Sequence, residues 1–548
     1  KYNLYKTVKL QPFNLSLRTC FKLYSQTLTV LLKKAKRTYY QNKVLENGND
    51  SKKNWNVIKE FLHLYQPEAL EAEFSDGTSV LTCPVTIVNS FNESFFSNSV
   101  STVTNLPSLS RLPHSFFLKL ASLAEVFCTI TSLKTTGCGL DSIYPAKIKL
   151  VARELSSVLL ELINTAFRSG IFPTILKQGK VIPVFKKGDR KLFSNYRPIT
   201  ILPFFSKVIE KPTVNRLMDY LATFYLLSHK QFGFRAKFST ELALIKLTDS
   251  IKQSIDKELW AGALFIDSTK AFGTINHSIL YAKLNSLGIC GPTLALLQSY
   301  LANRTQVVNY GGVLSSPIIT NQEVPQGSIL GPLMFLIYIN DLPSSLNSSD
   351  CILYADDTTI FSSDKDLNNI LAKLNTDVAK LVSWCKNNLL KINPVKTTFM
   401  LFHSSQKSVT FSPELYIDNC VITPSKFTTF LDFTLDPQLK YNIHVNFVIK
   451  KTAFGIRILI RTCHCFQQHI LKSLYYVFIS SHLTYCISSW ANTYATHLTS
   501  LIHLQKRAVR IITHSSSSAL AAPLFSTLEI LLFIFTFQLK FGILLFQK

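Results

Sequence analysis

Asp356 and Asp357 are adjacent carboxylates between two short apolar runs, Cys351-Ile352-Leu353 and Thr358-Thr359-Ile360-Phe361. Asp is a poor strand residue, and neighbouring carboxylates repel each other. A divalent cation bound between them turns that cost into a use, because Mg²⁺ takes hard oxygen ligands, usually one or two carboxylates with substrate phosphates. The flanking runs read as strands, and the acidic pair reads as the turn of a hairpin. Taken alone, an acidic pair between strands is more often a solvated turn than a metal site. A third carboxylate changes the weighing. Asp267 ends the apolar run Leu264-Phe265-Ile266, where strand backbone would hold it rigidly, as a metal site requires. If the two strands are neighbours in one sheet, three carboxylates can hold two divalent ions about 4 Å apart, an arrangement suited to phosphoryl transfer.

The elements that must position these residues are legible in outline. A helix pattern follows Asp267 from about Asn276, with His277, Leu280, Leu284 and Leu287. A second helix is predicted over 147–169, ended by Gly170, and a third over 366–389, with Leu367, Ile370, Leu374, Val378, Leu381 and Cys385 on one face. Residues 1–65 are basic and helical in pattern, and Lys33-Lys34-Ala35-Lys36-Arg37 suits an RNA-contact or nuclear-import patch as well as a solvated face. Residues 66–113, rich in Ser, Asn, Thr and Pro, read as a linker or extended arm. From about Phe116 the pattern is compact to the end. The apolar stretch from Leu528 to Phe546 carries Glu529 and Lys540, two charges costly in lipid, and is expected to be a buried or partner-facing helix rather than a membrane span.

Composition narrows the partner. The 548 residues carry 58 Lys and Arg against 33 Asp and Glu, a formal charge of +25. Such an excess predicts a polyanionic partner bound in a salt-sensitive way, nucleic acid before an acidic membrane. The basic residues are interleaved with 40 Phe and 21 Tyr, which suits a long groove better than a basic tail. The 11 cysteines, an odd number with no CxxC pair, point to a reduced intracellular protein. Cys463-His464-Cys465 and His469 match no common zinc spacing. The chain opens on Lys1 rather than Met, as expected of part of a longer protein.

A series of motifs in fixed order now identifies a likeness. Gly139-Leu140-Asp141-Ser142-Ile143 is followed by Val181-Ile182-Pro183-Val184-Phe185-Lys186-Lys187-Gly188-Asp189, Asn195-Tyr196-Arg197-Pro198-Ile199 and Gln231-Phe232-Gly233-Phe234-Arg235. The Asp267 strand comes next, then Val324-Pro325-Gln326-Gly327-Ser328, Asn340-Asp341-Leu342-Pro343, Tyr354-Ala355-Asp356-Asp357 and Leu390-Lys391-Ile392-Asn393-Pro394-Val395-Lys396-Thr397. The chain resembles the reverse transcriptase of a non-LTR (LINE-type) retrotransposon over nearly its whole length, including 474–512.

That resemblance implies an α+β right-hand polymerase with an antiparallel palm sheet and a helical thumb or C-terminal region. The expected domains are a basic helical segment and linker over 1–113, fingers and palm over 114–435, and thumb with C-terminal helices over 436–548. The implied activity is RNA-templated DNA synthesis from a 3′-hydroxyl. Asp267, Asp356 and Asp357 match the ligands of two Mg²⁺ ions. Phe272 matches the steric gate against the ribose 2′-hydroxyl, Lys187 and Arg197 the triphosphate-binding fingers, Gln326 and Gly327 the nucleotide-contacting loop, and Lys396 a proton donor to pyrophosphate. Implied partners are an RNA template, a DNA primer or target, dNTPs and the element RNA as a ribonucleoprotein, with no membrane, in the nucleus after a cytoplasmic stage. Two residues depart from the pattern: Gly273 stands where Asp usually follows the gate, and Asp432 where Gly usually grips the primer. Rival readings are an impaired nucleic-acid-binding remnant, a group II intron maturase-type enzyme, and an RNA polymerase of the same hand shape.

Overall fold

The computed structural model describes residues 1–548 apart from 49, 65–70, 76–78, 97–111, 136, 269–270, 321, 408–412, 419 and 547–548. Two compact units emerge. One comprises residues 70–432 and 436–439; the other comprises residues 1–69, 433–435 and 440–548.

The centre of the first unit is a four-stranded antiparallel sheet in the spatial order Thr398–Phe402, Trp260–Ile266, Asp357–Asp364, Asp350–Tyr354. Trp260–Ile266 has a neighbour on each side and is buried along six of its seven residues, so it reads as a continuous apolar run rather than an alternating one. The helix Leu367–Asn387 covers one face of the sheet. Asp366 caps it by accepting from Asn368 N at 3.1 Å, and Ile370, Leu374, Val378 and Leu381 face inward at helical spacing. The helix His277–Ser286, capped by Asn276 through Ile279 N at 3.2 Å, adds Ile279, Leu280 and Leu284 to the same core. This sheet and its helices occupy the region that the sequence likeness implies for the palm, and it is called the palm sheet below.

A second sheet lies in the region expected to form the fingers, and its strands are called the fingers strands below. Gln178–Phe185 pairs antiparallel with Tyr196–Ile201 and parallel with Arg304–Tyr310. The expected linker is different in fact, since the described part of 71–96 is packed structure. Phe74, Ile87, Phe91 and Phe95 form a core with Val181, Phe193, Tyr196 and Val308. The polar composition of the stretch hid a helix, Pro84–Phe96, whose apolar residues recur at Ile87, Phe91 and Phe95. The helix predicted over 147–169 is two, Pro145–Leu150 and Ala152–Ser169, the second ended by Gly170 at φ +70°.

The second unit is helical. Its N-terminal part comprises Tyr2–Leu10, Leu15–Asn47 and Ser51–Leu62, and its C-terminal part includes Asn442–Thr462, Ala495–Ile512 and Phe533–Phe546. Tyr40, Phe61 and Phe466 pack together with ring centroids 5.0–6.3 Å apart, and Trp490, Leu459 and Phe533 are buried. Cys463 and Cys465 are buried free thiols. Among the described residues no single helix is long and apolar enough to cross a membrane, although the bent pair Ala521–Leu528 and Phe533–Ile543 reaches that length and composition together.

Candidate active site

The palm register brings the three aspartates together. Thr358 lies opposite Ile266, so Asp357 and Asp267 are the next residues at the same end of adjacent strands. The hairpin differs from expectation by one residue: Tyr354 pairs with Asp357, leaving Ala355 and Asp356 as the two-residue turn. A two-residue turn needs left-handed backbone, and Ala355 supplies it at φ +55°. Asp356 and Asp357 are both exposed, which leaves them open to a ligand.

The electrostatics are those of crowded carboxylates. Asp356 is held above the usual carboxylate range by partial loss of water and then by the charge of Asp267, while Arg197 and Lys186 pull it back. Asp357 is pushed up to about 6, by partial loss of water and by Asp356, Asp267 and Asp432 in turn. Lys396 Nζ lies 3.7 Å from Asp267 Oδ2, and Asn393 N donates to the Asp267 carbonyl at 2.9 Å, so the segment 390–397 borders the site. Among the described residues no three acidic, His or Cys side chains form a closed ligand set. The donor chemistry nevertheless fits a divalent cation: hard oxygens that destabilise one another's charge, with cationic groups in reach.

The fingers contribute through strand pairing. Arg197 lies opposite Val184, so by alternation it shares a face with Ile182, Val184 and the following Lys186. The sequence reading chose Lys187. Lys187 lies in the bend beyond the strand, and the fingers lysine whose charge reaches Asp356 is Lys186. Sequence proximity could not separate the two; the register does.

Phe272 occupies a 3₁₀ turn over Ala271–Thr274. Its ring stacks on Phe335, with centroids 4.6 Å apart, and meets the edge of Phe234 at 6.1 Å. The Gln326 loop is tied on both sides: Val324 N donates to the Phe272 carbonyl at 3.5 Å, and Thr200 N to the Gln326 carbonyl at 2.8 Å. Gly327, at φ +133°, lies so close to the fingers strand that a Cβ there would sit 2.3 Å from the Thr200 carbonyl oxygen. Phe272, the Gln326 loop and the strand bearing Thr200 are thereby fixed to one another.

Sequence reasoning missed Glu210. This fully buried carboxylate accepts from Ile329 N at 2.7 Å, Leu330 N at 3.1 Å and Ser206 Oγ at 2.8 Å. It caps the N-terminus of the helix Leu330–Tyr338, the element into which the Gln326 loop runs. An acidic residue on an otherwise buried stretch of the helix Phe204–Thr223 was its sequence signal.

Residues 184–435 match the family described as reverse transcriptase (RNA-dependent DNA polymerase). The chain is 28% identical over 386 residues to the probable RNA-directed DNA polymerase from transposon BS of Drosophila melanogaster, covering 68% of this chain and 42% of that protein. It is 25% identical over 389 residues to the RNA-directed DNA polymerase from mobile element jockey of the same species, covering 68% and 42%. It thus spans less than half the length of these relatives. Among solved structures, the telomerase from Candida albicans in complex with a fragment of telomeric RNA aligns over 66% of this chain and 68% of that one, with a TM-score of 0.36 and 10% identity.

Proposed function

This chain carries a reverse transcriptase domain of the non-LTR retrotransposon kind, and from that premise we propose that it extends a DNA 3′-hydroxyl on an RNA template with dNTPs and Mg²⁺. The observation that carries the reading is the register of Thr358 opposite Ile266. It sets Asp267, Asp356 and Asp357 at one end of the palm sheet, with Asp356 in electrostatic reach of Arg197 and Lys186.

In this reading the three aspartates would hold two Mg²⁺ ions. Those ions, when bound, supply activation of the attacking hydroxyl and charge neutralisation of the triphosphate. Arg197 and Lys186 grip the triphosphate oxygens, Arg as a fork and Lys as a point charge. Phe272, braced by Phe335 and Phe234, fills the space of a ribose 2′-hydroxyl. Gln326 meets the incoming nucleotide from a loop held on the fingers by Thr200. Lys396, whose Nζ lies 3.7 Å from Asp267 Oδ2, would donate a proton to the leaving pyrophosphate. The helical unit serves as thumb and RNA-binding surface.

One observation favours a second reading, an impaired copy. Asp432 stands at φ +60°, a backbone suited to Gly, and its charge reaches Asp357. Primer extension on an RNA template tests both. Product from the wild-type chain supports the polymerase. No product from it, with product from a Gly273→Asp, Asp432→Gly double variant, identifies the impaired copy; no product from either overturns the assignment. Phe272→Val should relax exclusion of ribonucleotides by roughly a hundredfold if the ring is the gate, since a site that rejects a hydroxyl by steric fit loses that rejection with the ring. Unchanged discrimination points to an RNA polymerase instead.

A further inference from the structure

The metal-binding turn has a support from outside the palm sheet. Residues 230–232 run beside the outer strand Asp350–Tyr354: Leu353 N donates to the Lys230 carbonyl at 2.9 Å, and Phe232 N to the Leu353 carbonyl at 2.8 Å. This brings Gln231, 3% exposed, against the turn itself. Gln231 Oε1 accepts from Ala355 N at 3.1 Å and from Gly233 N at 2.7 Å, while Nε2 donates to the Ala355 carbonyl at 3.5 Å. One amide therefore meets both backbone groups of the residue that immediately precedes Asp356. Gly233 closes the contact from the same segment, since a Cβ there would lie 2.2 Å from Ala355 N.

The arrangement answers a physical need. Ala355 is buried and left-handed at φ +55°, a conformation that costs an L-residue about 1 kcal/mol. The next two residues carry charges that repel. A turn with a strained hinge and two like charges has reason to splay, and a carboxylate displaced by a fraction of an ångström is a poorer metal ligand. Gln231 removes that freedom without touching the carboxylates.

We propose that Gln231 is a positioning residue for the metal site: its side-chain amide clamps Ala355 and so sets the spacing of Asp356 and Asp357 for divalent-cation binding. The proposal rests on the reading of these aspartates as metal ligands.

The experiment is Mn²⁺ titration of the metal-free chain, with free Mn²⁺ read by electron paramagnetic resonance and thermal unfolding measured in parallel. Gln231→Met keeps length and volume but removes the amide. It should bind Mn²⁺ roughly tenfold more weakly, as is typical when a partner behind a ligand is removed, in protein that unfolds as a single cooperative species. Gln231→Glu retains an acceptor for both N–H groups and should bind much closer to wild type. A merely structural role would lower the unfolding temperature and leave the Mn²⁺ affinity of the folded protein unchanged, and that result overturns the proposal. If Gln231→Met does not fold, Gln231→Asn, whose amide stops a methylene short of Ala355, is measured with the same two outcomes. Asp356→Ala separates the proposal from its premise: if that variant binds Mn²⁺ as the wild type does, the aspartates are not the ligands and the metal reading itself fails.

Discussion

The acidic turn at Ala355–Asp357, proposed to bind metal, and the loop at Val324–Ser328, proposed to meet the nucleotide, are both short connections at the edge of the palm sheet, and both involve carboxylates held above their usual pKa. The resemblance ends there. Asp356 and Asp357 are exposed and crowded by Asp267 and Asp432; Asp356 is offset by its own backbone N–H and by the charges of Arg197 and Lys186, while every influence on Asp357 raises it. Glu210 is fully buried, and three donors offset its loss of water. One set of carboxylates is electrostatically unfinished and suits a ligand. The other is finished and suits a scaffold. A raised pKa alone does not separate the two; what surrounds the charge does.

The sharpest break of this comparison is in activity. Asp356→Ala should abolish primer extension, by roughly a thousandfold or more, and leave the thermal stability of the metal-free chain unchanged or higher. Persisting activity would remove the pair from the site. Glu210→Ala should do the reverse. It leaves Ile329 N and Leu330 N without an acceptor in the interior and should cost about 3 kcal/mol of stability by denaturant unfolding. It should also raise the KM for dNTP through a loosened Gln326 loop. Glu210→Gln keeps an acceptor and should unfold near the wild type. If Asp356→Ala and Glu210→Ala destabilise equally, the distinction between unfinished and finished carboxylates is wrong.

The pH dependence sharpens the same contrast. Asp357 is pushed up to about 6 without a cation, so between its ordinary value and that point the folded chain binds the extra proton. Stability of the metal-free protein from this group is therefore greatest at low pH and falls as pH rises toward 6. Metal binding needs the ionised form and runs the other way: Mn²⁺ affinity should fall about tenfold per pH unit below that value, with proton release on binding. A calorimetric titration in two buffers of different ionisation enthalpy measures the released proton. Affinity independent of pH between 5 and 7 would mean that Asp357 is not a ligand.

The two loops also differ in how far they could be read from sequence. The acidic pair between apolar runs announced itself, and only the exact turn, Ala355–Asp356 rather than Asp356–Asp357, needed the pairing of Tyr354 with Asp357. Gln326 was reached through family likeness, yet the groups that hold its loop, Glu210 and Thr200, lie more than a hundred residues away, and nothing in their local sequence ties them to that loop. Lys186 and Lys187 are neighbours in sequence, and only the pairing of Val184 with Arg197 decides which one follows the arginine's face. Residues 71–96 failed for a different reason: composition outweighed periodicity, so Ile87, Phe91 and Phe95 were read as part of a linker when they are core.

The smallest expected effect concerns the boundary between the two classes of carboxylate. Asp432 belongs to neither, since it is not matched to a metal ligand and is not a capped scaffold charge. Its backbone sits at φ +60°, which Asp tolerates better than most residues but at a cost of about 1 kcal/mol. Its charge adds to the crowding that raises Asp357. Asp432→Gly removes both burdens. Unfolding should shift toward higher temperature by a few degrees, corresponding to about 1 kcal/mol, and Asp357 should ionise at lower pH, so that Mn²⁺ binding persists further into acid. Asp432→Asn separates the contributions: it keeps the strained backbone and loses the charge, so it should recover the pH shift without the added stability. If Asn and Gly behave alike in both measurements, backbone strain contributes nothing. If neither moves the pH dependence, the charge of Asp432 does not act on Asp357, and the crowding at the metal turn belongs to the three matched aspartates alone.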